Sequence, residues 1–324
     1  MPALATTPRD TILRDGPAQL YRFRRGDEDA RGDRGERTPL LLVPSLINRW
    51  YVLDLRDGVS LAASLLQRGL DVWCLDWGAP GDEDRHFTWD DVVARLARAI
   101  RRVKRETGSD KVALLGYCIG GTLSGIQAAL DPDSIAALVN LAGPFDFAEG
   151  GFLAHMTNPR WFDVDAVAAA GNVSAPQMQA GFQMLRPTLS ISKWVSLFDR
   201  GSDPKFREAF DALETWSGDN ISFPAAAYRT YIRELYQENR LVKGTHRVAG
   251  RRVDLKAITC PVLTIATEKD TICPPRAAQA LNELCGAKDR ELLVVPGGHV
   301  GAVVGGKAPL NLYPAIGRWL EERL

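Results

Sequence analysis

The sequence predicts an α/β chain, with a mostly parallel, doubly wound sheet interrupted by an inserted helical cap. Three observations predict it. Short, nearly continuous apolar runs alternate with stretches of helical periodicity, the pattern of strands covered on both faces. That alternation stops between about 145 and 250, where aromatic residues and helical spacing replace strand-like runs. The chain has 324 residues, 45% of them hydrophobic, enough for one large core carrying an inserted unit.

In chain order, residues 1–37 are expected to form an arm. Arg22, Arg24, Arg25, Arg31, Arg34 and Arg37 are interleaved there with acids, as in a solvated, partly disordered tail. The core is expected over 38–148 and 245–324. Its strands are read at 39–44, 70–77, 111–116, 135–142, 261–266 and 291–295. A helix is read at 58–68, and a second at 90–105, where Val92, Val93, Leu96, Ile100 and Val103 recur at helical spacing. Further helices follow at 123–130, 275–284 and 310–323. The cap is expected over 149–244, with Phe152, Trp161, Phe162, Phe182, Trp194 and Trp216 among its aromatics. A structureless loop of that length does not suit a compact protein.

Composition excludes several function classes. Forty basic and 40 acidic side chains give a formal net charge of zero, so no field gathers nucleic acid or an anionic membrane. No apolar run approaches the ~20 residues of a membrane-spanning helix, and the N-terminal residues lack the pattern of a secretory signal. Five scattered cysteines (Cys74, Cys118, Cys260, Cys273, Cys285) suggest reduced thiols in the cytoplasm and no disulfide framework. Four dispersed histidines offer no metal site, and no cofactor is expected.

The chemistry concentrates at 112–130. A strand runs into Gly116, Tyr117, Cys118, Ile119 and Gly120, and a helix follows. Gly-x-Cys-x-Gly between a parallel strand and a helix is the nucleophile-elbow pattern of the α/β-hydrolase fold, with cysteine in place of serine. The flanking glycines suit a strained turn, and the helix N-terminus beneath it favours a thiolate. The backbone N–H of Ile119 is positioned to stabilise an oxyanion. A second donor is expected from the loop after the first parallel strand, at Leu46 or Ser45, with Leu46 preferred. Cys74 sits in an apolar strand and reads as core, and Cys260, Cys273 and Cys285 read as structural.

His299 follows the last strand on a Pro-Gly-Gly loop, within reach of the elbow. Asp270 follows the preceding strand and is placed to orient it, with Glu268 as its nearest competitor. The order nucleophile, acid, histidine is the order this fold uses. His86 and His155 are weaker candidates beside the cap, and His246 reads as a surface loop residue.

Beyond these residues the chain resembles the polyhydroxyalkanoate synthases, most closely the short class III type that works with a companion subunit. The segment 42–55 (Leu-Val-Pro-Ser-Leu-Ile-Asn-Arg-Trp-Tyr-Val-Leu-Asp-Leu) is similar to the family's first-strand loop, and 75–80 to its second-strand ending. Residues 236–244 resemble the exit from its cap, while 252–256, 270–275 and 296–301 resemble further family motifs. The resemblance implies (R)-3-hydroxyacyl-CoA as substrate, with coenzyme A released and a growing polyester as product. It implies catalytic roles for Cys118, Asp270 and His299, a cytoplasmic site of action at the surface of polyester granules, and a companion subunit. Self-association is expected from the aromatic cap. The alternatives are a hydrolase using the same three residues (thioesterase, esterase or depolymerase) and a non-catalytic granule-associated homologue.

Overall fold

The computed structural model describes residues 2–25, 38–185 and 197–324. Among them eight strands form the central sheet. These are β1 (Arg9–Asp15), β2 (Ala18–Phe23), β3 (Leu40–Val43), β4 (Val72–Asp76), β5 (Val112–Tyr117), β6 (Ile135–Leu141), β7 (Val262–Thr267) and β8 (Arg290–Val295). Their spatial order is β1-β2-β4-β3-β5-β6-β7-β8. β2 runs antiparallel to both its neighbours, and the remaining pairs are parallel.

The register explains why these strands read as unbroken apolar runs. One row of paired residues crosses the sheet through Tyr21, Cys74, Leu42, Leu115, Val139 and Leu263, and all six belong to one apolar cluster. The adjoining row, Trp73, Leu41, Leu114, Leu138 and Val262, belongs to the cluster on the opposite face. Successive side chains point to opposite faces, and both faces are covered, so both must be apolar. Cys74 is fully buried in the first row, as its strand position implied.

Helices close the two faces. α1 (Leu61–Gln67) covers the first with Leu61 and Leu65, while α2 (Trp89–Thr107) and α3 (Ile119–Leu130) cover the second. α2 starts where Thr88 and Asp91 cap each other reciprocally, with bonds of 2.9 and 3.1 Å, and stops at Gly108 in the left-handed conformation. Between β6 and β7 come α4 (Gly151–Met156), α5 (Val164–Ala169), α6 (Ala175–Leu185), α7 (Pro204–Gly218) and α8 (Ala225–Thr230). α8 continues as a π-helical turn over Tyr231–Gln237. Trp194, expected among the cap aromatics, lies outside the described residues. The chain returns through a short hairpin (Arg247–Val248 with Arg251–Arg252) to β7, α9 (Pro275–Leu284), β8, α10 (Gly301–Val304) and α11 (Leu312–Glu321).

The expected N-terminal arm is corrected over its described part. Residues 9–23 form a hairpin that extends the sheet at one edge. Ala18, Leu20, Tyr21 and Phe23 are buried, while Arg22 lies over Trp73, 5.0 Å from its ring centre, and bonds Asp71 at 2.8 Å. The basic side chains thus flank a strand and its apolar partners supply the driving force. Buried Asp54 fastens the stem, accepting from the Thr7 N–H at 3.2 Å, the Thr7 hydroxyl at 2.6 Å and the Ser60 hydroxyl at 2.7 Å. Arg31, Arg34 and Arg37 lie outside the described residues. No described helix is long and apolar enough to cross a membrane.

Candidate active site

β5 delivers its last residue to a turn so tight that the positions flanking it, Gly116 and Gly120, have no room for a side chain. Cys118 takes φ 57° and ψ −131°, a conformation that L-residues avoid and that costs about 1–3 kcal/mol. Its N–H is held by Leu141 O at 2.9 Å, and its carbonyl accepts from Gly121 N–H at 2.8 Å. A Cβ at Gly120 would stand 2.0 Å from Val43 O, and one at Gly116 would stand 2.3 Å from Gly120 O. Both glycines are therefore fixed by the close approach of α3 to β3 and β5. Asn140 closes the adjoining loop after β6, donating to Gly143 O at 2.9 Å and accepting from Gly143 N–H at 3.1 Å, and a Cβ at Gly121 would stand 2.1 Å from its Oδ1.

Asp270 and His299 stand beyond β7 and β8, at the same edge of the parallel sheet. Asp270 Oδ2 lies 2.8 Å from His299 Nδ1 and also accepts from the Thr267 hydroxyl at 2.8 Å. Asp270 Oδ1 accepts from the N–H groups of Ile272 at 2.9 Å and Cys273 at 2.8 Å. Burial would raise this carboxyl's pKa, but the His299 charge and these donors outweigh it and hold the pKa below the ordinary carboxylate value. The His299 ring stacks on Tyr117 with centres 5.3 Å apart, and the Tyr117 hydroxyl donates to His299 O at 3.2 Å. Burial pushes the Tyr117 pKa well up, so the hydroxyl stays a donor.

His299 Nε2 is buried and has no hydrogen-bond partner among the described residues. Burial alone would lower the histidine's pKa. The negative charges of Cys118 and Asp270 more than offset it and raise the value to about 10. Cys118 and His299 border one cavity of about 680 Å³. Its other walls include Asn48 and Ile272 from the core with Gln179, Phe182, Trp216 and Asn220 from the cap segment. Among the described residues no group of three or more His, Cys, Asp or Glu side chains is placed to hold a metal ion.

Of the expected site residues, Cys118, Asp270 and His299 converge on this edge. Ile119 opens α3 directly beside Cys118, and Leu46 is buried in the loop that begins at Pro44, whose carbonyl lies against Gly120. Glu268, the rival acid, is exposed. His86 and His155 are exposed. The surface reading of His246 is corrected, because its side chain is fully buried and Nδ1 meets Glu234 Oε2 at 2.9 Å. That partner lies on the π-helical turn, 12 residues earlier, so local sequence around His246 does not reveal it. Sequence reasoning also missed Tyr117, Thr267 and Asn140. Only Tyr117 carried a signal, as the residue immediately before the elbow cysteine.

The alpha/beta hydrolase fold family matches residues 38–305. The poly(3-hydroxyalkanoate) polymerase subunit PhaC of Allochromatium vinosum is 36% identical over 322 residues, covering 98% of this chain and 89% of that protein. The chain belongs to the poly(3-hydroxyalkanoate) polymerase family. A second polymerase subunit of the same name, from Haloferax mediterranei, is 32% identical over 99% of this chain, which spans 65% of that protein's length. Among solved structures, a hydrolase from Pseudomonas aeruginosa superposes with a TM-score of 0.59 at 17% identity, covering 96% of this chain and 98% of that one. That likeness speaks for the fold alone.

Proposed function

We propose that this chain is a polyhydroxyalkanoate synthase, an acyltransferase that polymerises (R)-3-hydroxyacyl-CoA through an acyl thioester on Cys118. The observation that carries the reading is the buried His299–Asp270 pair, 2.8 Å apart, with His299 and Cys118 on one cavity in a chain of the polymerase family.

In the first half-reaction His299 Nε2 takes the Cys118 proton, and the thiolate attacks the carbonyl carbon of the CoA thioester. The negative charge passes to the carbonyl oxygen, held by the N–H groups of Ile119 and Leu46. The carbon–sulfur bond to coenzyme A then breaks, and the leaving thiolate receives the proton from His299. In the second half-reaction the 3-hydroxyl of another acyl unit gives its proton to His299 and attacks the acyl carbon. The bond to Cys118 breaks, an ester forms, and His299 returns a proton to the cysteine sulfur. A thioester keeps the acyl group activated for the incoming alcohol, which suits cysteine to repeated transfer.

Asp270 acts in this scheme by orienting His299. Its two oxygens already accept from Thr267, Ile272, Cys273 and His299, and its depressed pKa makes it a poor base toward a substrate hydroxyl. Water would divert the acyl thioester to a free acid. Phe182 and Trp216 on the cap side of the cavity supply apolar cover. The cap also exposes Phe152 and Trp161, which flank His155 in one aromatic patch and support an assembly there with a second copy or a companion subunit.

The test is release of free coenzyme A from (R)-3-hydroxybutyryl-CoA by the wild type and by Cys118→Ala, with the acyl product identified. Cys118-dependent release with insoluble polyester is expected. Release with only free 3-hydroxybutyrate would make the chain a thioesterase and sink the polymerase reading.

A further inference from the structure

The cavity that Cys118 borders carries a relay of three carboxamides in its wall. Asn48 Nδ2 donates to Asn220 Oδ1 at 2.5 Å, and Asn220 Nδ2 donates to Gln179 Oε1 on α6 and to Ser217 O at 3.1 Å. All three amide side chains border the cavity. The backbone repeats the link. Asn48 and Asn220 form an antiparallel bridge, and Ile221 N–H donates to Ile47 O at 3.4 Å. Three residues on, Phe223 and Val173 exchange bonds of 2.9 and 3.0 Å just before α6 begins. The segment 220–223 thus bonds the loop after β3 through Asn220 and Ile221, and the root of α6 through Phe223. Trp216 and Asp219 add bonds of 3.0 Å to Arg49 O and 2.7 Å to the Tyr51 hydroxyl.

The gripped loop is the one that carries Leu46, two residues before Asn48. A carboxamide both donates and accepts, so fixing one member of such a chain orients the next without placing a charge in the cavity. We propose that Asn220 is a positioning residue that couples the seating of α6 to the alignment of the Leu46 N–H with Cys118. With α6 seated the loop is held and acyl transfer proceeds, and with α6 displaced the second oxyanion donor drifts. A misplacement of about 1 Å is enough to slow such a step by roughly 10²-fold. The inference rests on the reading of Cys118 as an acyl-transfer nucleophile with Leu46 as oxyanion donor.

The experiment is a double-mutant cycle between Asn48→Ala and Gln179→Ala, with Asn220→Ala as the centre of the relay. Each single change is expected to lower kcat for coenzyme A release about tenfold, with KM moving less than about twofold. The double variant and Asn220→Ala should fall no further than the worse single. Effects that multiply to about 100-fold, or that appear only in KM, overturn the coupling. Hydrogen–deuterium exchange supplies an arm that needs no substrate. Asn48→Ala should speed exchange of the α6 amides, and Gln179→Ala should speed exchange over 45–48, with thermal midpoints unchanged. Unaltered exchange in both variants overturns the coupling. A wild type that releases no coenzyme A overturns the proposed function instead, and the exchange arm still decides the relay.

Discussion

Tyr117 holds His299 at two points, through a ring stack with centres 5.3 Å apart and a hydroxyl bond of 3.2 Å to the histidine's carbonyl oxygen. The residue before the proposed nucleophile therefore braces the proposed base, across the gap between β5 and the loop after β8. Tyr117→Phe keeps the stack and loses the bond, worth about 1 kcal/mol, so coenzyme A release should slow roughly fivefold. Tyr117→Ala loses both, and steady-state kinetics should show a much larger fall in kcat than in 1/KM.

Asp270→Asn leaves the shape of the site intact while removing the charge and one acceptor. By analogy with triads in which the acid fixes the histidine tautomer, kcat should drop by roughly 10³–10⁴-fold. Cys118 should remain open to alkylation by iodoacetamide, showing that the elbow is intact. A drop of less than tenfold would remove Asp270 from the orienting role.

The His299 pair also writes itself into the pH dependence of stability. Burial works against the cation, but the charges of Cys118 and Asp270 raise its pKa from 6.5 to about 10. A raised folded-state value gives stabilisation that is complete below the unfolded value and lost as pH climbs through the folded one. The wild-type thermal midpoint should therefore decline from pH 6.5 toward 10 more steeply than that of His299→Gln. Cys118→Ala removes one of the two negative charges and should flatten the decline. Parallel curves for all three proteins would refute the linkage.

Gly120→Ala tests the elbow's packing. The added methyl carbon would stand 2.0 Å from Val43 O, a main-chain atom in the centre of the sheet that has no room to retreat. Separation of α3 from β3 should cost at least about 3 kcal/mol, read as a lowered denaturant midpoint or as loss of folded protein. Gly306→Ala, where nothing lies within 4 Å of the new atom, is the control and should leave the midpoint unchanged.

Much of the core and of the candidate site was legible because each depends on a local signal. The parallel strands carry apolar residues at consecutive positions, so Leu40–Val43 and Val112–Tyr117 stand out without any knowledge of their partners. Cys118 announces itself through its glycines, and His299 and Asp270 through their places after strands. The β1–β2 hairpin was not legible, because Arg9, Asp10, Arg14, Asp15 and Arg22 make its alternation look like a solvated tail. The two-residue Gly16–Pro17 turn, with Gly16 at φ 61°, was the missed signal. His246 was misplaced for the opposite reason, since its burial depends on Glu234 and on a fold of the chain that no short window contains. Thr267 and Asn140 bond only three residues ahead, to Asp270 and to Gly143, but their residue types are common in any strand and single out neither position.

The sheet pairs Val139 of β6 directly with Leu263 of β7, on opposite sides of the whole cap insertion. Closing so long an interval is entropically costly and slow compared with assembling neighbours. The strands from β3 to β6 are contiguous in the first half of the chain and can associate as they leave the ribosome. The thiol at residue 118 is then displayed on a finished turn while His299, its proposed base, has yet to be translated. On the proposed roles of Asp270 and His299, chemical competence arrives only with the final quarter of the polypeptide, so a truncated or stalled chain would carry an elbow that cannot turn over.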